Sequence, residues 1–126
     1  MKIGFIGAGK VGTAFGVYLK SRGFEISGYY SRSPASSMKA AELTGSRHFM
    51  DHVKLSIESD IIFITTGDGA IKDVCDLLAL TGALREGQIV AHMSGALSSE
   101  VLTCLKALNS IGQWLVKHCR WQRGAN

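Results

Sequence analysis

The sequence predicts an α/β fold: one domain built on a doubly wound, mainly parallel sheet of five to six strands with helices on both faces. Three observations predict it. Apolar runs alternate with helical patterns along the chain, the order from which right-handed crossovers wind a parallel sheet. The run Asp60-Ile61-Ile62-Phe63-Ile64-Thr65 is unbroken and rich in β-branched and aromatic residues, as a parallel strand covered on both faces requires. The chain also opens on a short apolar strand, Met1-Lys2-Ile3-Gly4-Phe5-Ile6, which runs without a spacer into Gly7-Ala8-Gly9-Lys10-Val11-Gly12 and then into a helical pattern. Length agrees, because 126 residues bury one real core and leave little room for a second. With 46% hydrophobic and 19% charged residues, the chain is globular rather than disordered.

The elements follow in order. After the first strand, Val11, Ala14, Phe15, Tyr18 and Leu19 recur at helical spacing, and Ser21-Arg22-Gly23 ends that helix on a glycine stop. Phe24 to Tyr30 forms the second strand, with Tyr29 and Tyr30 packing on the sheet. Ser33 caps a second helix running through Leu43, with Pro34 suited to its first turn and Gly45 to its exit. Arg47-His48-Phe49 is a short third strand, and Asp51 caps a brief helix to about Glu58. The 60–65 run is the fourth strand and lies at the sheet centre. Ala70 to Leu80 reads as the next helix with Asp68 as its cap, Gln88 to His92 as the fifth strand, and Ser98 to Leu108 as a last helix capped by Ser98. No internal repeat, low-complexity segment or linker interrupts the order, which is that of a Rossmann-type sheet.

The opening motif carries most of the chemistry. Gly7-Ala8-Gly9-Lys10-Val11-Gly12 matches G-x-G-x-x-G in the context it needs, after a strand and before a helix. Gly7 allows the tight turn, Gly9 lets backbone approach a pyrophosphate, and Gly12 lets the helix pack closely on the strand. The phosphates would sit at the N-terminus of the helix beginning near Lys10, where unpaired amides and the positive dipole end favour anions. Lys10 either adds charge there or stays solvated. A glycine-rich turn of an unrelated α/β domain is the competing reading.

Composition excludes other classes. The net charge is +4, but the excess gathers near the end, where Lys117, Arg120 and Arg123 meet no acid. No basic stripe or recognisable module accompanies it, so nucleic acid is not an expected partner. Cys75, Cys104 and Cys119 are odd in number, widely spaced and outside any C-x-x-C pattern, which predicts reduced thiols in a cytoplasmic protein. His48 and His52 lack a third ligand and His118-Cys119 lacks partner spacing, so no metal site is expected. Gly7, Gly9 and Lys10 break the first apolar run before a signal-peptide core forms, and no stretch approaches the ~20 apolar residues of a membrane span.

Cofactor choice turns on the end of the second strand. NAD-binding domains place an acid there for the ribose 2′-hydroxyl, whereas NADP needs positive charge and hydroxyls for its 2′-phosphate. Ser31-Arg32-Ser33 holds no acid, Arg32 can clamp a phosphate, and the serines can donate to it, which favours NADP over NAD. A solvated Arg32 and a plain helix cap at Ser33 are the structural alternatives.

The glycine motif, the Tyr30-Ser31-Arg32-Ser33 turn, the stretch Asp60 to Asp68, the Asp68-Gly69-Ala70-Ile71 loop and His92-Met93-Ser94-Gly95-Ala96-Leu97 together resemble one family over residues 1 to about 110. It comprises Rossmann-like proteins carrying a C-terminal helical domain of unknown function, relatives of pyrroline-5-carboxylate reductase and the deazaflavin-dependent NADP oxidoreductases. The resemblance implies an NADP-binding domain acting on a small-molecule substrate. Its cofactor would run from Gly9 and Lys10 to the ends of the fourth and fifth strands, where open α/β sheets bind their ligands. Thr65, Thr66 and Gly67 would flank the nicotinamide ribose, while His92 and Ser94 would face nicotinamide and substrate. The catalytic residues stay unassigned, with His92 a candidate for proton transfer and Ser94 for a polar contact. A hydrogen-bonded core histidine and a plain turn before Ser98 are the respective alternatives.

The chain departs from that family at its end. Members continue into a helical domain that closes the substrate pocket, whereas this sequence has a cofactor domain over 1–112 and an atypical basic tail over 113–126. Trp114 to Val116 fits a sixth strand, and the tail as a whole, with no acid after Glu100, also fits a truncated or frameshifted reading frame. Apolar surface near Ser94 and the last helix would then favour homo-oligomers or other association. Three functional readings follow: the NADP-binding domain of an oxidoreductase, a non-catalytic dinucleotide-binding or sensing module, and an inactive fragment.

Overall fold

In a computed structural model, residues 1–81, 84, 87–92 and 115–118 are described. Six strands form one sheet: β1 (Lys2–Ile6), β2 (Glu25–Tyr30), β3 (Arg47–His48), β4 (Ile61–Ile64), β5 (Ile89–His92) and β6 (Leu115–His118). Their order is β3-β2-β1-β4-β5-β6 and every pairing is parallel. The described helices are α1 (Lys10–Ser21), α2 (Pro34–Thr44), α3 (His52–Ile57) and α4 (Asp68–Thr81). The expected helix over 98–108, Ser94 with the apolar surface around it, and the tail beyond His118 lie outside the described residues.

Two apolar clusters, one on each sheet face, hold the layers together. Successive strand residues point to opposite faces, so β1 sends Ile3 and Phe5 one way and Ile6 the other. Ile3 and Phe5 join Ile26 and Tyr29 of β2, Leu19 of α1, and Ala40 and Ala41 of α2. Ile6 joins Ile62 and Ile64 of β4 and Val90 of β5 beneath Leu55 of α3 and Ile71, Cys75 and Leu78 of α4. Phe5 is fully buried, stacked on Tyr29 at 4.8 Å and on Phe63 at 5.7 Å, with Phe15 edge-on at 6.2 Å.

Helix ends follow their sequence signals with two corrections. Asp51 caps α3, its carboxylate accepting from the Val53 amide at 2.8 Å. Gly45 ends α2 in the left-handed conformation (φ 61°), and the Ser46 amide reaches back to the Ala41 carbonyl at 2.8 Å. Ser33 holds the N-cap position of α2, yet its side chain makes no capping bond; its carbonyl takes the Ser36 amide at 3.1 Å instead. Helix α4 starts at Asp68 rather than at Ala70, because the Ala70 amide already donates to the Gly67 carbonyl at 2.9 Å. Asp68 therefore lies inside the first turn rather than at the cap.

A buried polar set secures the opposite end of the sheet. The Gln88 amide donates to the carbonyls of Ser56 and Ser59 at 2.6 and 2.7 Å, and the Ser27 and Ser59 hydroxyls share a bond of 2.6 Å. Every such group needs a partner away from water, and these partners leave the other end of the sheet free for ligand chemistry.

Candidate functional site

The strand order places the site before any side chain is considered. The chain steps outward from β1 to β2 and β3, then returns to the other side of β1 with β4, leaving a crevice beyond the carboxyl ends where the direction reverses. The glycine turn lies at this crevice. Gly7 takes φ 113°, a conformation that favours glycine, and its amide donates to the Tyr30 carbonyl at 2.8 Å. The Thr65 hydroxyl donates to the Gly7 carbonyl at 2.9 Å, so the turn is tied to β2 on one side and to the end of β4 on the other.

The three glycines meet different surroundings. A Cβ on Gly7 would come within 2.8 Å of the Thr65–Thr66 peptide, and one on Gly12 would run into the Thr65 hydroxyl. One on Gly9 would meet nothing within 4 Å. Gly9 is the N-cap of α1, and the first turn of neither α1 nor α2 carries an acid. The leading amides of α1 have no partner carbonyl within the helix and carry its positive dipole end.

A cleft of about 500 Å³ opens from this turn. Ala8 and Gly9 form one end, and Ser31, Arg32 and Ser33 form a wall at the β2–α2 connection. The opposite wall is one face of α4, with Ala70, Asp73, Val74 and Leu77 at helical spacing. Thr66 and Gly67 line the cleft beside β4, and Tyr30 and His52 line it beyond β2. Arg32 is exposed, and among the described residues no salt bridge holds it. The Ser31 hydroxyl donates to the Ser33 carbonyl at 2.6 Å, which shapes the connection. The Thr66 hydroxyl is buried and has no hydrogen-bond partner among the described residues. Such a group costs roughly 1–3 kcal/mol unless a ligand satisfies it. Open space over Gly9, an unpaired guanidinium and an unpaired buried hydroxyl therefore share one cleft, a fit for an elongated polyanionic ligand with sugar hydroxyls.

The sequence-predicted residues separate by depth. Ala8, Gly9, Ser31, Arg32, Ser33, Thr66 and Gly67 line the cleft. Gly7, Gly12 and Thr65 form the layer beneath it, the Thr65 side chain being committed to Gly7. Lys10 is exposed at the start of α1 and borders an adjoining groove with Lys39, and Val11 is exposed on the same helix. His92 is fully buried, pairing in register with Ile64, and Ser94 lies outside the described residues. Sequence reading missed the α4 wall and His52. The 70/73/74/77 spacing directly after the strongest strand is the signal that could have found that wall.

Sheet order and cleft together define the class, a Rossmann-like domain. The Rossmann-like domain family matches residues 1–113, and the chain belongs to it. Solved structures agree in fold. An imine reductase from Pseudomonas sp. superposes with a TM-score of 0.75 at 18% identity, covering 94% of this chain and 40% of that one. An imine reductase from Myxococcus stipitatus in complex with NADP+ gives 0.71 at 20% identity, covering 94% and 40%. Synechocystis arogenate dehydrogenase gives 0.70 at 26% identity, covering 82% and 37%. The chain thus spans about two fifths of the length of such structures. A comparison with curated proteins finds no match. No described helix is long and apolar enough to cross a membrane.

Proposed function

We propose that this domain binds NADP(H) and serves an oxidoreductase that transfers hydride to or from a small molecule. The observation that carries the proposal is the continuity of one cleft from the glycine turn to Ser31-Arg32-Ser33. In this reading Gly9 and the first amides of α1 take the pyrophosphate, and Arg32 with Ser31 and Ser33 takes the 2′-phosphate. The Thr66 hydroxyl finds its missing partner in a ribose hydroxyl. Ala70, Val74 and Leu77 cover the adenosine side and exclude water from it. The cofactor supplies the hydride chemistry; the chain supplies binding and orientation. A reducing, cytoplasmic setting is part of the proposal, in keeping with cysteines that fall in no disulfide-framework spacing.

Calorimetric titration with NADPH and NADH, repeated on Arg32→Ala, tests this reading. Loss of a charged hydrogen-bonded pair is worth roughly 1.5–3 kcal/mol, so the variant should bind NADPH about 10- to 100-fold more weakly. NADH affinity should change by less than about threefold, since NADH lacks the phosphate. Wild-type protein that binds neither cofactor would end the proposal. Tight binding with no turnover of imines or ketones would favour the sensing module instead.

A further inference from the structure

We propose that Tyr29 is a positioning residue of the cofactor cleft, tying the strand that ends at Ser31-Arg32-Ser33 to the first turn of the glycine helix. The inference rests on the reading above. Tyr29 is 0% exposed, and its hydroxyl donates to the Gly12 carbonyl at 2.9 Å. Gly12 is the last glycine of the turn motif, and Tyr29 stands two residues before Ser31. One hydrogen bond thus joins the element offering amides to the pyrophosphate with the element offering Arg32 to the 2′-phosphate.

Gly16 shows that room was made for this bond. It sits inside α1, where glycine costs about 1 kcal/mol relative to alanine. A Cβ there would collide with the Tyr29 hydroxyl. The phenol ring is held in turn by its stack on Phe5, at 4.8 Å with 12° between planes. A phenol is protonated at physiological pH, and burial raises this one further, so the hydroxyl is a donor throughout that range. The trio Tyr29, Gly16 and Gly12 fixes the start of α1 against the end of β2, and with it the spacing of the two anion subsites. A ligand bridging both subsites depends on that spacing, while one anchored at the glycine turn alone does not.

The test measures NADPH and NADH affinities and thermal midpoints for wild type, Tyr29→Phe, Gly16→Ala and the double variant. Tyr29→Phe should raise the NADPH Kd roughly fivefold and leave the NADH Kd within about twofold. In the double variant the alanine methyl takes up part of the space of the lost hydroxyl but still lies 3.0 Å from the ring carbon Cζ and 3.3 Å from Thr44 Cγ2, so the midpoint should lie above that of Gly16→Ala alone while the NADPH-specific loss persists. Gly16→Ala alone displaces the hydroxyl with the phenol retained and should lower the midpoint further than Tyr29→Phe, with the same selective loss; Tyr29→Phe, which removes one oxygen and adds no atom, is the variant on which the test turns. An unchanged NADPH/NADH ratio in the folded variants, or NADPH affinity restored with the midpoint, would reduce Tyr29 to core packing and overturn the inference. Wild-type protein binding neither cofactor would instead overturn the parent reading and leave the tie a structural one.

Discussion

Gly9 and Gly12 belong to one motif, yet only one of them is required by the fold itself. Gly12 has Thr65 against it, whereas Gly9 has open space. Gly12→Ala should therefore lower the thermal midpoint markedly, while Gly9→Ala should lower it only by the small cost of alanine at an N-cap and should weaken NADPH binding, as scanning calorimetry and titration would show. Thr66→Val removes an unpaired buried hydroxyl, so stability should hold or rise while NADPH affinity falls about fivefold, the worth of one hydrogen bond. Unchanged affinity would show that the hydroxyl takes no ligand. Burial raises the folded-state pKa of Tyr29 above its unfolded value, so its contribution is fully present below the ordinary tyrosine pKa of about 10 and declines as pH climbs beyond it. Tyr29→Phe should flatten that part of an alkaline stability curve. At this scale the sequence was partly legible. The motif singled out its glycines, but nothing in it separates Thr65, committed to the Gly7 carbonyl, from Thr66, which has no partner among the described residues, because the distinction is made by a contact 58 residues away.

Elements were easier to read than their edges. The β1–α1 unit and β4 stand where periodicity and β-branching place them, since contiguous residues carry those signals. Boundaries moved where a backbone bond outweighed a side-chain preference, as when the Gly67 carbonyl drew α4 two residues upstream of Ala70. The α4 wall was hidden for another reason: a helix face becomes a binding surface only when the strand order brings it beside the β2–α2 connection. Asp51→Ala should cost about 1 kcal/mol through loss of the α3 cap, a modest shift in a denaturation midpoint. Phe5→Ala removes the centre of the aromatic stack joining β1, β2, β4 and α1, and should cost ~3–5 kcal/mol.

For the whole molecule, strand order is the main fact. β1 is paired on both sides, with β2 and β4, and supplies residues to both apolar clusters. The alternation of strands and helices announced a parallel sheet, but a central place for the first strand follows from the crossover to β4, which no local pattern records. A fragment ending at residue 59 retains β1 to β3 and lacks the second neighbour of β1. It should show no cooperative thermal unfolding by circular dichroism, in contrast to the full chain.

The central position of β1 also sets a schedule on the ribosome. β1 is completed by a strand that emerges almost sixty residues after it, the Gly7–Thr65 tie spanning 58 positions. At about 5–20 residues per second that gap lasts roughly 3–12 s. Throughout it the Ile3-Gly4-Phe5-Ile6 segment lacks one flank and the α4 side of its cover. Until β4 emerges, that apolar segment is open to holding chaperones because the core that covers it cannot yet close.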